Sequence, residues 1–142
     1  MVPCIYGSGY GSSTPFRSLT LTDFNLLVLD QCQKNVEATA NGPSPISIAK
    51  LDWYDFLLNN FERPLLKQKY DTIIACDCAY RHRDIIALAS TMRSLLRNEQ
   101  SRIHIFGPSN RSGLDELLTL LRTEHDLSVT VEQLKMERYR LR

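Results

Sequence analysis

Lys69–Tyr80 reads KYDTIIACDCAY: an unbroken apolar run, Thr72–Cys76, delivers a carboxylate at Asp77 and a phenol at Tyr80. A strand covered by helices on both faces is apolar throughout rather than alternating, and open α/β sheets bind ligands just beyond the carboxyl ends of such strands. Asp77 therefore stands where a site would be. The same residue could simply cap the helix that follows, and the stretch alone leaves both roles open.

Working outward, the flanking segments alternate between the two periods. SLTLTDFN (Ser18–Asn25) is rich in β-forming residues and ends on Asp23, and NLLVLDQCQKNVEA (Asn25–Ala38) carries apolar residues at near-helical spacing. NGPSP breaks the chain, and ISIAKL (Ile46–Leu51) is a further strand ahead of Asp52 and Trp53. YDFLLNNF reads as a short helical or irregular connection. Beyond Tyr80, Ile85–Leu96 places seven apolar residues on one helical stripe, SRIHIFG is another short strand, and GLDELLTLLRTEH after Ser112 is an amphipathic helix. Leu127–Arg142 alternates as two antiparallel strands would. The order of elements predicts an α/β, Rossmann-like, doubly wound and mostly parallel sheet with an antiparallel C-terminal edge.

Composition bounds what such a fold could do. The 142 residues fit one domain, 1–142, able to bury roughly two-thirds of the surface that the unfolded chain exposes. Seventeen basic residues against 16 acidic leave a net charge of +1 without a basic block except MERYRLR at the end, so there is no nucleic-acid footprint. That tail reads equally as a charged edge strand. No run reaches the ~18 apolar residues of a membrane span, and the N-terminus does not have the pattern of a secretion signal, so a cytoplasmic or nuclear protein is expected. The four cysteines form no disulfide framework. Cys76-x-Cys78 lacks the second ligand pair that a metal site needs, so no metal is expected.

Three strand ends now line up: Asp23, Asp52 with Trp53, and Asp77 with Tyr80. In a doubly wound sheet they converge on one edge although they are far apart in sequence. A carboxylate ending the second strand can accept from both hydroxyls of a ribose. Asp23 could instead cap the helix after it, and Trp53 could fill the core.

LTLTDFN, ISIAKLDW and YDTIIACDCAY resemble the successive strand-end motifs of the seven-β-strand S-adenosylmethionine-dependent methyltransferases, specifically the lysine methyltransferase family 16 group with its Asp-x-x-Tyr signature. The likeness runs in order from Leu19 to Leu96, more weakly through IHIFGPSNRSGLDELLTLL. It implies S-adenosyl-L-methionine as cofactor and a protein carrying the acceptor lysine as substrate. It further implies that Asp23, followed by Phe24, holds the ribose, that Asp52 and Trp53 lie at the adenine, and that Cys76 lies beside the methionine moiety. Asp77 and Tyr80 would form the catalytic mouth.

The N-terminus departs from the family. PCIYGSGYGSS offers Gly7, Gly9 and Gly11, but Ile5 stands where the family has an acidic residue, and Ser12–Leu19 is too short for a helix. Gly7 and Gly9 are either a shortened cofactor turn or part of a flexible lead-in over residues 1–17. The chain resembles a member lacking its first strand–helix unit, which leaves enzyme activity open and predicts weak cofactor binding. Two other classes stand beside the methyltransferase: a non-catalytic, protein-binding module of the same fold, and a nicotinamide-dependent oxidoreductase. The last needs a third glycine where Ser12 stands, opening a helix.

Overall fold

The computed structural model describes residues 4–8, 17–38, 45–58, 67–108 and 110–132. Among them, five strands form one sheet: β1 (Cys4–Ser8), β2 (Ser18–Asp23), β3 (Ile46–Lys50), β4 (Thr72–Cys76) and β5 (Arg102–Phe106). Helices α1 (Leu26–Ala38), α2 (Tyr54–Leu57), α3 (His82–Leu95) and α4 (Ser112–Thr123) accompany them. The strand order is β3-β2-β1-β4-β5.

The apolar runs became strands, and the helical stripe after Tyr80 became α3. Ile85, Leu88, Ala89, Met92 and Leu95 of α3 are fully buried against Ile73 and Ala75 of β4, with Leu117 and Leu121 of α4 closing the same cluster. Each large aliphatic side chain buried in this way contributes about 1.5–3 kcal/mol relative to exposure. α1 packs on β2 and β3, its buried Leu29 lying outside that cluster.

β2 and β3 pair in parallel with Asp23 beside Lys50, and β4 and β5 pair in parallel with Cys76 beside Phe106. Their carboxyl ends therefore share one edge of the sheet. The central strand runs the other way: β1 is antiparallel to both neighbours, with Ile5 opposite Leu21 and Ile74. Connection length explains the direction. Parallel neighbours need a crossover of a dozen or more residues, whereas antiparallel neighbours can be joined by a short hairpin, and few residues lie between Ser8 and Ser18.

Two expectations change. Among the described residues the antiparallel strand lies at the centre of the sheet, and none forms at a C-terminal edge. From Leu127 to Glu132 the chain is irregular, with Leu127 and Val129 laid against the core, and residues 133–142 lie outside the described residues. The expected lead-in over residues 1–17 contains a strand, Cys4–Ser8, in the middle of the sheet.

Candidate functional site

The site grows from the ends of β2, β3 and β4. Asp23 ends β2 and is only 7% exposed; its Oδ1 accepts the Asn25 N–H at 2.8 Å. The cap of α1 is Asn25, whose Oδ1 accepts the Leu27 N–H at 2.9 Å. Asp23 is thus released from capping, and its Oδ2 has no hydrogen-bond partner among the described residues. The Leu51 N–H donates to the Asp23 carbonyl at 3.1 Å, tying the ends of β2 and β3 together.

After Leu51, the Asp52 carboxylate accepts the Tyr54 N–H at 3.1 Å and sets the turn into α2. Trp53 does both things that the sequence left open: it packs on the core cluster and also lines the cleft. The Tyr54 hydroxyl bonds Asp84 Oδ1 at 2.8 Å, bridging α2 to the first turn of α3, and that carboxylate raises the phenol above its ordinary pKa.

At the end of β4 the backbone turns sharply. Asp77 has φ 49°, a left-handed conformation that Asp tolerates better than most residues, and its N–H donates to the Phe106 carbonyl at 2.7 Å. Cys78 is buried, its Sγ bonded to the Cys76 carbonyl at 3.3 Å, and Tyr80 follows with the Arg81 guanidinium 5.6 Å from its ring centre. Gly113 lets α4 approach this turn: a Cβ there would stand 2.7 Å from the Ala79 carbonyl oxygen.

Together these residues enclose a cleft of about 400 Å³, lined by Thr22, Asp23 and Phe24, by Leu51, Asp52, Trp53 and Tyr54, and by Cys78, Tyr80, Arg81, Arg83 and Asp84. That volume lies in the range of small-molecule sites, about 300–1,000 Å³. Two carboxylates at the ends of adjacent parallel strands, Asp23 closing β2 and Asp52 just beyond β3, stand beside Trp53 and the half-exposed Phe24 and suit a nucleoside: hydroxyl groups for the acids, a flat base for the aromatic surfaces.

Of the expected site residues, Asp23, Phe24, Asp52, Trp53 and Tyr80 meet in this cleft, and Cys76, Asp77 and Gly7 do not. Cys76 lies off its lining, its thiol pushed up in pKa by burial, and Cys78 supplies the wall instead because the left-handed Asp77 breaks the strand alternation. The Asp77 carboxylate turns onto Arg111, which grips it with Nε–Oδ1 at 2.9 Å and Nη2–Oδ2 at 2.8 Å. Asp77 does not cap α3 either; Arg81 holds that position. Gly7, expected at the cofactor, pairs with Leu19 and Thr72. Four residues separate Leu19 from Asp23, about 13 Å at ~3.3 Å per strand residue, so the reversal of β1 puts Gly7 near the wrong edge of the sheet. Gly9 lies outside the described residues.

Sequence reasoning missed Tyr54, Cys78, Asp84 and Arg111. Tyr54 sat in a segment read as a connection, and the other three act through contacts with no local signature.

A family model described as lysine methyltransferase matches residues 5–120, from β1 into the last turn of α4. No curated protein and no solved structure matches the chain.

Proposed function

The chain belongs to the lysine methyltransferase family, and from that premise we propose that the cleft binds S-adenosylmethionine and that the protein methylates a lysine side chain of another protein. One observation carries this reading: Asp23, Asp52, Trp53 and Tyr80, dispersed over three strand ends, line a single cleft. Asp23 Oδ2 would accept from the ribose, and Asp52 and Trp53 would hold the adenine. The residues present fit the adenosine end; Gly7, across the sheet, does not serve the methionine end.

Bound S-adenosylmethionine supplies a methyl group already activated on a sulfonium. What remains for the protein is positioning and an unprotonated amine. A free lysine with a pKa near 10.4 is only roughly 0.04% neutral at pH 7, so the mouth must shed the proton by desolvation or pass it to water. Tyr80 guides the ammonium across its ring face, an attraction of ~0.5–2 kcal/mol. The Arg81 guanidinium, 5.6 Å from the centre of that ring, is consistent with this reading. Arg81 and Arg83, both exposed at the rim, disfavour a basic substrate surface and favour acidic residues around the acceptor.

A second reading, a non-catalytic module that binds a protein partner, is favoured by the placement of Gly7. Methyl-labelled S-adenosylmethionine incubated with the protein and cell extract separates the two. The methyltransferase reading expects labelled methyl-lysine after hydrolysis, lowered with Tyr80→Ala. Binding of S-adenosylhomocysteine without any transfer would favour the module.

A further inference from the structure

We propose that Arg111 is a positioning residue of the cleft, a clamp that holds the turn Asp77–Tyr80 from behind so that Cys78 and Tyr80 form the cleft wall. Arg111 itself does not line the cleft. It stands at the N-cap of α4, where Ser, Thr, Asp or Asn would accept a free helix amide, and it makes no side-chain capping bond there. Its guanidinium forks onto Asp77 instead, 2.9 and 2.8 Å, joining the first turn of α4 to the end of β4. A bidentate pair fixes direction as well as distance, which a single ammonium cannot do.

The turn that it grips needs holding. Asp77 sits at φ 49°, a conformation that costs free energy in any residue with a side chain. Three contacts reach it from β5 and α4: the Arg111 fork, the Asp77 N–H on the Phe106 carbonyl at 2.7 Å, and the Gly113 backbone against Ala79. Of the three, only the fork is made by side chains and half-exposed to water, with Arg111 44% and Asp77 43% accessible, so it is the one that substitution or salt can release. Release frees the Cys78–Tyr80 segment, and the cleft loses its definition on that side.

Cys78 reports this directly, since its thiol is 5% exposed and lies inside the clamped turn. The test is the rate of iodoacetamide labelling at Cys78, read by peptide mass spectrometry in the wild type, Arg111→Lys and Arg111→Gln. Cys32 on α1 serves as the internal reference, and S-adenosylhomocysteine affinity is measured on the same samples. Arg111→Gln should speed Cys78 labelling about tenfold, the change that ~1.4 kcal/mol of local stability produces, and weaken the ligand severalfold. Arg111→Lys, which keeps the charge without the fork, should fall between, with Cys32 unchanged in all three. Cys78 labelling within twofold of wild type in Arg111→Gln would overturn the proposal, as would Cys78 and Cys32 accelerating together. The inference of a role in ligand binding rests on the adenosyl reading of the cleft, and the two fail separately. Faster Cys78 labelling in a chain that binds no adenosyl ligand keeps the clamp and removes that reading. Should Arg111→Gln not fold, Arg111→Lys carries the test alone, with at least a threefold acceleration of Cys78 required.

Discussion

Replacing Asp23 with asparagine removes one negative charge from the cleft and little else. The amide oxygen of the new side chain can still accept the Asn25 N–H, a 2.8 Å bond in the wild type, and the α1 cap is made by Asn25 itself, so the start of the helix is preserved. What is lost is the charge behind Oδ2, where the ribose would donate. Hydrogen bonds to a charged group contribute about 1.5–3 kcal/mol, and each ~1.4 kcal/mol is tenfold in affinity. Asp23→Asn should therefore weaken S-adenosylhomocysteine by roughly tenfold to a hundredfold while leaving the thermal midpoint nearly unchanged. The chain offers its own probe, because its single tryptophan, Trp53, lines the cleft. Fluorescence titration with adenosine and with 2′,3′-dideoxyadenosine separates the ribose contact from a general effect: the variant should lose affinity for the first and much less for the second. Affinity within about twofold of wild type, or equal losses for both nucleosides, would refute the assignment of Asp23.

Tyr80→Ala should cut methyl transfer by roughly twofold to thirtyfold, the equivalent of the ~0.5–2 kcal/mol of a cation–π contact, with a smaller change in cofactor affinity; Tyr80→Phe should retain most of the rate. Initial rates and titrations on the same samples decide it, and parallel falls would place Tyr80 on the cofactor side. Gly113→Ala should destabilise by about 1–3 kcal/mol in denaturant unfolding, although alanine suits a helix better, because its Cβ meets the Ala79 backbone oxygen at 2.7 Å and something must move. Burial, helped by Arg93 and opposed by Glu124, holds the His125 imidazole below its usual pKa. The unfolded chain then takes up its proton at higher pH than the folded one. The contribution of His125 is thus fully present above about pH 6.5 and lost as pH falls through the lower folded value. The melting temperature should fall from pH 7.5 to 5.5, and His125→Gln should flatten part of that fall.

The parts of this fold legible in the sequence are those whose information is local. Thr72–Cys76 is apolar without interruption because β4 lies inside the sheet, and the stripe from Ile85 to Leu95, apart from the exposed Ile86, is the buried face of α3. Strand direction is not local. Cys4–Ser8 would look alike running either way, and only the short connection to β2 favours the reversal that carries Gly7 from the site. Cys76 and Cys78 would share a side in a regular strand; one left-handed residue between them exchanges their roles. Arg111 lies in a loop 34 positions from Asp77, and its pairing appears only once β4 and β5 stand side by side. Asp23, Asp52, Trp53 and Tyr80 were legible because parallel topology alone brings strand ends together.

The central claim, that the cleft at these strand ends takes an adenosyl ligand, is tested most directly by amide chemical-shift mapping of the isotope-labelled protein during titration with S-adenosylhomocysteine. The account predicts saturable shifts concentrated at Asp23–Asn25, Leu51–Tyr54 and Cys78–Arg81. Because Gly7 lies near the other edge, the affinity should be in the high-micromolar range. An absence of shifts at millimolar ligand, or shifts centred on β1 and the start of β2 instead, would contradict it.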